Sequence, residues 1–251
     1  MKKIIFALFL SLLFQQCSSA VFQGNGKAPS HEIWNNLLKK NVTADGKVNY
    51  KGFIKDSVEF NKYLKLLTNN PPNEKTWSVN EQKAFWINAY NAFTIKLIAK
   101  YYPIKSIKEI GSSIQIPFVN TPWDVKFIFI GKEKMDLNNI EHGQLRKKFD
   151  DPRIHFAIVC ASKSCPALLN EVYDPAKLDQ QLDNQAKVFL KDTSRNKVSA
   201  TNPQLSKLFD WYKMDFTKNG SLIDFLNKYT PVKINTNAKI THLDYDWNLN
   251  E

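Results

Sequence analysis

The sequence predicts an α+β fold: a single domain in which a buried central helix packs against a mainly antiparallel sheet. Residues 78–103 have the pattern of a long buried helix, and helical segments come early in the chain while extended segments come later. There is no regular βαβ alternation, which argues against a parallel α/β sheet. No tract rich in Gly, Ser or Pro offers a linker, so residues 21–251 are expected to form one domain.

The first twenty residues have the layout of a secretory signal peptide. Two lysines precede a short apolar run, and Ser18 and Ala20 supply the small residues for cleavage after Ala20. The run is too short to span a bilayer as a stable helix. Residues 1–20 are therefore expected to be removed and the protein to be exported, to the periplasm or the extracellular space. The alternative is a lipoprotein anchored at Cys17, although the residues before this cysteine fit a lipobox poorly.

The charge balance narrows the class of partner. The chain has 35 Lys and Arg against 24 Asp and Glu, a formal net charge of +11. In an exported protein this balance favours an anionic glycan, peptide or small-molecule ligand of the cell envelope over nucleic acid, and solubility is the simpler explanation. We expect no nucleic-acid partner and no transmembrane segment.

Two helices are predicted before the central one. The first begins at Ser30 and places four apolar side chains at helical spacing. An Asp45-Gly46 turn follows, and the second helix covers Lys51–Leu67.

The central helix opens with Ser78 and Glu81, a capping box in which each side chain satisfies the other's free backbone N–H. It ends before Pro103, and it is apolar nearly all round except at Asn88 and Asn91, which share one face. A buried amide without a partner costs about 1–3 kcal/mol, so each must be hydrogen-bonded. Either the two amides hold a loop or buried water, or they orient a catalytic or ligand-binding group.

Shorter elements are predicted after the central helix. They are a strand pair around Gly131, a helix from Asp136, a strand at 153–160, and helices at 174–192 and 221–229.

The stretch "RIHFAIVCASKSCP", residues 153–166, concentrates reactive residue types. In an extended strand His155 and Cys160 would lie on opposite faces and form a poor nucleophile–base pair. Cys165 lies in the following loop, where a nearby histidine could activate an exposed thiol. Cys165 could instead form a disulfide with Cys160, which an oxidising compartment permits. Closing so small a loop contributes at most roughly 2–3 kcal/mol.

The segment "IEHGQLRKKF" adds three polar candidates. His142 and Arg146 project from the same face of the predicted helix, whereas Glu141 points about 100° away from His142. A solvated helix face is the simpler explanation for this pattern.

No familiar cofactor motif is found. The chain has no nucleotide-binding loop, no zinc-protease motif and no serine-hydrolase elbow. Two cysteines at C-x4-C spacing with two histidines could bind zinc, but this spacing is a weak signal. We therefore expect no cofactor and assign no metal ligands.

Five blocks of the sequence resemble the domain of unknown function 547 family, found in exported bacterial proteins and as plant domains. The resemblance runs from about His31 to Asn250, and the family name assigns no activity. The blocks, in order, are "FWINAYNAFTIKLI", "IEHGQLR", "DPRIHFAIVCASKSCP", "LFDWYKMDF" and "LDYDWNLN".

A more distant resemblance is to papain-like and transglutaminase-like cysteine hydrolases, in which a central helix carries the nucleophilic cysteine and a following strand carries the histidine. The helix around Asn88 and the segment beginning at His155 are similar to these two parts, so the resemblance implies His155 as the catalytic histidine. The helix from Glu81 to Tyr102 contains no cysteine. A shared fold would therefore take its nucleophile from elsewhere, such as Cys165, or would bind without catalysis.

The leading hypothesis is a thiol-dependent hydrolase or acyl transferase that acts on amide bonds of peptides or cell-wall material. Cys165 would attack, His142 or His155 would be the general base, and Asn88 would orient a group or stabilise an oxyanion. Arg146 or Arg153 would hold a substrate carboxylate by bidentate hydrogen bonds. The further members of the expected cleft are Glu141 on the catalytic side and Asn91 and Ser162 on the substrate side.

Two other hypotheses stay open. One is a non-catalytic cell-envelope module that binds an anionic ligand, with Cys160 and Cys165 joined in a structural disulfide. The other is a metal-dependent hydrolase that uses Glu141, His142 and His155.

Overall fold

The computed structural model describes residues 20–111, 113–116 and 119–251. The first half contains four α-helices in these residues, followed by a β-hairpin; the second half contains one long α-helix, three short ones and one further strand pair. The helices are α1 (Glu32–Asn41), α2 (Tyr50–Lys55), α3 (Ser57–Asn69), α4 (Val79–Tyr101), α5 (Leu178–Lys191), α6 (Leu208–Trp211), α7 (Lys213–Phe216) and α8 (Leu222–Leu226). The strands are β1 (Ile128–Ile130), β2 (Glu133–Met135), β3 (Gln204–Leu205) and β4 (Thr241–His242).

Helix α4 is the buried central helix that the sequence predicts. Its capping box is formed: the Glu81 backbone N–H donates to Ser78 Oγ (3.2 Å), and the Ser78 backbone N–H donates to Glu81 Oε2 (2.7 Å). Side chains are buried around nearly its whole circumference, and α2 and α3 pack against it. Burial on all sides explains why its sequence is apolar on every face.

The α+β class is confirmed, although the strands are few and short. Strands β1 and β2 form an antiparallel hairpin in which Ile128 pairs with Met135, and β3 pairs with β4 in parallel. In the described residues the sheet therefore consists of two separate two-stranded pairs.

The strand predicted at 153–160 is wrong. The segment begins as a 3-10 helix over Pro152–Phe156, because the Asp151 side chain accepts a hydrogen bond from the Arg153 N–H and Pro152 suits a first helical turn. The chain then passes α4, where Asn91 supplies the hydrogen bonds that a neighbouring strand would have made.

The same segment lies where two hydrophobic clusters meet. Ile154 and Ala157 belong to a cluster built around α1–α4. Phe156 belongs to a second cluster with α5 and the residues that follow it, including Phe209 and Phe216. Residues 152–160 therefore have rigid packing on both sides.

None of the described helices is long and apolar enough to cross a membrane. Residues 1–19, which include Cys17 and nearly all of the expected signal peptide, lie outside the described residues. Signal cleavage, export and the lipid anchor stay predictions.

A candidate active site with two thiols

A pocket of about 260 Å³ lies beside the segment 155–165, and aromatic side chains form much of its wall. Residues from distant parts of the chain meet there, and they include two of the three cysteines and two of the four histidines. The lining residues are Tyr90, Thr121, Trp123, Asn138, Glu141, His142, His155, Ile158, Cys160, Cys165, Leu208, Trp211, Tyr212, Tyr245 and Trp247.

A π-helix over Asn139–Arg146 forms one side of the pocket. It begins after a reciprocal cap, in which the Asn139 N–H donates to Asp136 Oδ1 (2.6 Å) and the Asp136 N–H donates to Asn139 Oδ1 (3.2 Å). A π-helix has more residues per turn than an α-helix, so neighbouring side chains diverge less. Glu141 and His142, expected to point apart, therefore line the same pocket.

A carboxylate on α7 joins the basic residues of the site. Asp215 accepts from Arg146 Nε (2.6 Å) and Nη2 (2.8 Å) and lies 2.7 Å from His155 Nε2. Burial would raise the pKa of Asp215, but the hydrogen bonds from His155 and Arg146 outweigh it and hold this pKa well below its usual range. The buried His155 ring also stacks on Tyr212, with 3.8 Å between ring centroids. Its orientation is thus fixed from two sides.

The second histidine is held by the same arginine. Arg146 Nη1 lies 2.8 Å from His142 Nδ1, and because a guanidinium can only donate, Nδ1 is the acceptor. Burial lowers the pKa of His142, and the charge of Arg146 lowers it further. A neutral His142 ring whose Nδ1 accepts from Arg146 carries its proton on Nε2.

The two cysteines form a hydrogen-bonded thiol pair. The Cys160 backbone N–H donates to Cys165 Sγ (3.0 Å), and Cys160 Sγ lies 3.1 Å from Ser162 Oγ and 3.3 Å from Tyr245 Oη. Hydrogen bonds from the Cys165 thiol and these two hydroxyls outweigh burial and lower the pKa of Cys160 to about 7. Burial raises the pKa of the Cys165 thiol. Cys160 is thus the thiolate-forming member of the pair.

The loop that carries the cysteines is held by residues 246–250. The Lys163 N–H donates to the Asn248 carbonyl (2.8 Å), and the Asn250 N–H donates to the Ala161 carbonyl (3.2 Å). Ala161 itself adopts a left-handed conformation with φ of 62°, which turns the chain sharply after Cys160. The thiol geometry therefore depends on a segment far away in sequence.

Glu141 has an incompletely satisfied carboxylate. Its Oε2 accepts a hydrogen bond from Tyr90 Oη (3.3 Å), whereas its buried Oε1 has no hydrogen-bond partner. An unpartnered buried oxygen of this kind is costly and uncommon in folded proteins.

The two asparagines of α4 are structural. Asn88 donates to the Tyr173 carbonyl (2.9 Å) and accepts from the Tyr173 N–H (3.1 Å). Asn91 donates to the Ala157 carbonyl (2.9 Å) and accepts from the Val159 N–H (3.0 Å). Neither lines the pocket, and their hydrogen bonds agree with the loop-holding alternative. The catalytic role of Asn88 and the substrate-binding role of Asn91 stay predictions.

The arginines predicted to bind a substrate carboxylate already have carboxylate partners. Arg153 contacts Asp151, Asp179 and Asp183, each at 2.8 Å, and does not line the pocket. Its predicted role in substrate binding stays a prediction that its position does not support. Arg146 lies at the site, but its bidentate partner is Asp215. Ser162, also predicted to bind substrate, contacts Cys160 and Tyr245 and supports the thiol instead.

Several residues of the site were not predicted. Asp215, Tyr212 and Trp211 come from "LFDWYKMDF", and Tyr245 and Trp247 come from "LDYDWNLN". Both blocks were quoted for the family resemblance, and their polar and aromatic residues were the available signal.

Both cysteines are free thiols in this structure, so the disulfide stays a prediction. In the part of the chain that the structure describes, no three or more His, Cys, Asp or Glu side chains are grouped so that they could hold a metal ion. Glu141, His142 and His155 share the pocket without forming such a group.

Residues 74–190 match the family model described as "Protein of unknown function, DUF547". The matched region contains α4, the π-helix and both cysteines. No curated protein and no solved structure matches the chain.

Proposed function

Residues 74–190 match the model of the domain of unknown function 547 family, whose description assigns no activity, so we propose a function from the site itself. The protein is a thiol-dependent hydrolase or acyl transferase that acts on amide bonds of peptides or cell-wall material. The observation that carries this proposal is that Cys160, whose thiol has a lowered pKa, lines one pocket with His142 and with His155, the ring that Asp215 contacts.

Cys160, rather than Cys165, is the nucleophile. Cys160 is partly exposed and has hydroxyl groups close to its sulfur, whereas Cys165 is 4% exposed and its pKa is raised by burial. Only a thiolate attacks a carbonyl efficiently, so the thiol that ionises near neutral pH is the better candidate. The geometric objection to Cys160 rested on a strand at 153–160, which does not form.

Proton transfer is assigned to the histidines. As Cys160 attacks the amide carbonyl, a histidine of the pocket takes the proton of its thiol and passes this proton to the departing amine when the C–N bond breaks. Water or an acceptor amine then attacks the thioester, its proton passes through the histidine to the sulfur, and the Cys160 thiol is restored. Asp215 holds the His155 ring, and Arg146 holds His142, as a positioning residue would.

The walls of the pocket suggest what is bound near the reacting bond. Trp211, Tyr245 and Trp247 form a contiguous aromatic surface, with ring centroids 4.6–5.7 Å apart. Such a surface suits a flat or apolar face of the substrate. The unpartnered Oε1 of Glu141 is a ready acceptor for an N–H group of the same substrate.

A chromogenic acyl donor tests the nucleophile without knowledge of the substrate. We expect 4-nitrophenyl acetate to give a burst of nitrophenolate and an acetyl group on Cys160, located by peptide mapping. Cys160→Ala should abolish both signals, whereas Cys17→Ser, which removes a thiol outside the described residues, is the matched control and should retain them. An unchanged burst in Cys160→Ala would remove Cys160 as the nucleophile.

The alternative of a binding module for anionic ligands has less support. Both arginines that would recognise the anion are paired with carboxylates of the same chain. Ligand binding by the pocket without acyl transfer is the outcome that would revive it.

A further inference from the structure

We propose that Cys160 and Cys165 together carry out thiol–disulfide exchange, with Cys160 attacking a disulfide bound in the pocket and Cys165 resolving the mixed disulfide. This activity shares Cys160 with acyl transfer but does not rest on it. Acyl transfer uses one thiol, so it leaves the second thiol unexplained.

The two sulfurs occupy different positions. Cys160 is partly exposed and lines the pocket, so an incoming disulfide can reach it. Cys165 is nearly fully buried, and its sulfur lies 3.0 Å from the Cys160 backbone nitrogen. An external disulfide meets Cys160 first, and only a group already attached to Cys160 comes within reach of Cys165.

The surroundings give the two thiols different chemistry. Ser162 Oγ donates to Tyr245 Oη (3.0 Å), and Tyr245 can in turn donate to Cys160 Sγ. This relay stabilises a negative charge on Cys160, whose pKa of about 7 is near the optimum for an attacking thiol at neutral pH. Burial raises the pKa of Cys165, which therefore stays protonated and does not compete for the first attack.

The reaction balances without another oxidant. The Cys160 thiolate attacks one sulfur of a disulfide RSSR′, forms the mixed disulfide Cys160–SR, and expels R′S⁻. Cys165 loses its proton, attacks Cys160 Sγ and expels RS⁻, which leaves a Cys160–Cys165 disulfide. The protein loses two electrons and two protons, and the substrate gains them as RSH and R′SH.

The aromatic walls indicate the class of disulfide. A pocket of about 260 Å³ with several tryptophan and tyrosine side chains fits a small disulfide, or a disulfide of a peptide, with an aromatic or apolar group beside the sulfur. Dithiobis(nitrobenzoate), an aromatic disulfide that releases coloured thionitrobenzoate, is therefore a suitable probe.

The experiment uses the full chain with Cys17→Ser, so that only the pair supplies thiols. We expect release of two thionitrobenzoates per chain, with a Cys160–Cys165 disulfide and no retained probe by mass spectrometry. Cys165→Ala should release one and keep the other on Cys160, with the second release slowed by more than about tenfold. Cys165→Ser provides a second variant in case alanine disturbs the fold, and Cys160→Ala should react slowly because its remaining thiol is buried.

Three outcomes would overturn the proposal. They are a stable probe adduct on Cys160 when Cys165 is present, separate probe adducts on both cysteines, and no reaction at Cys160. The acyl-transfer proposal is judged by different products: acetyl on Cys160 with no exchange would support acyl transfer alone, and exchange with no acetyl would support exchange alone.

Discussion

Polar side chains are buried in two regions of the core, and the two regions differ in how completely these side chains are hydrogen-bonded. Along one face of α4, both amide groups of Asn88 and Asn91 are hydrogen-bonded to backbone atoms of distant segments. In the pocket, Glu141 keeps an unpartnered carboxylate oxygen, and Cys160 has hydroxyl groups close to its sulfur. Fully paired polar groups fix the position of a loop, whereas incompletely paired groups remain able to bind another molecule.

The largest loss of stability should come from removing the paired hydrogen bonds on α4. Asn91→Ala removes two buried hydrogen bonds and leaves the Ala157 carbonyl and the Val159 N–H without partners. We expect a loss of about 2–4 kcal/mol in the free energy of unfolding, measured in urea. Asn61→Ala is the control: it lies at an exposed position of α3 and loses one hydrogen bond, to Lys96. It should change the stability by less than about 0.5 kcal/mol. Similar losses in both variants would contradict a structural role for Asn91.

Removing the carboxylate that pairs with Arg146 and His155 should reduce the stability by a smaller amount. Asp215→Asn removes the charge that pairs with Arg146 and His155, and we expect a loss of about 1–3 kcal/mol at pH 7. Because the pKa of Asp215 is lowered in the folded state, its contribution is fully present above the ordinary carboxyl pKa, begins to decrease below it, and is lost as the pH falls through the lowered pKa. Unfolding at pH 7 and at pH 3 should therefore show a smaller difference between Asp215→Asn and the parent at the lower pH. Asp210→Asn, at an exposed position of α6, is the control. An equal loss at both pH values would argue against the ion pairs.

A substitution in the pocket, where polar groups are incompletely paired, should increase the stability of the protein instead of decreasing it. Glu141→Gln removes a buried charge whose Oε1 has no partner, so we expect a gain of about 1 kcal/mol in the free energy of unfolding together with slower acylation. Thermal unfolding and the nitrophenolate burst measure the two effects. Glu133→Gln on the exposed strand β2 should change neither. If Glu141→Gln were less stable than the parent and acylated normally, the Glu141 carboxylate would have a structural role and no role in the reaction.

The smallest change should be a shift in thiol reactivity. Ser162→Ala removes a hydroxyl 3.1 Å from Cys160 Sγ and the donor to Tyr245, so the pKa of Cys160 should rise from about 7. Alkylation by iodoacetamide increases with pH as the thiolate forms, and its midpoint should therefore move upward. A rise of half to one pH unit lowers the rate at pH 6 by about three- to tenfold. The exposed Ser30→Ala is the control, and an unmoved midpoint in Ser162→Ala would contradict the hydroxyl relay.

The sequence predicted what depends on neighbours along the chain. The cap of α4, its burial and the α+β class follow from spacing over a few residues. The choice between partners of Asn88 and Asn91 could not be predicted, because these partners lie 66–85 residues away. For the same reason, the sequence could not show that Asp215 lies beside His155 or that Tyr245 lies beside Cys160.

Two failures have local physical causes. The apolar run at 153–160 resembles a strand, but the Asp151 cap and the Asn91 contacts provide its hydrogen bonds without strand pairing. A position in the first turn of a predicted helix would place His31 at the surface, but the residue is partly buried against Tyr63, and burial lowers its pKa to about 4. Periodicity alone does not reveal either contact.

The pairing of residues 246–250 with the cysteine loop has a consequence for the order of synthesis. Tyr245 and the Asn250–Ala161 hydrogen bond are supplied by residues that leave the ribosome roughly 4–17 s after Cys165, at about 5–20 residues per second. During this interval Cys160 and Cys165 lack both the hydrogen bond with Tyr245 and the packing of residues 246–250 against their loop. The distinctive reactivity of Cys160 is therefore acquired late, and an oxidant or a chaperone that meets the chain during translation encounters a different thiol from the one in the finished protein.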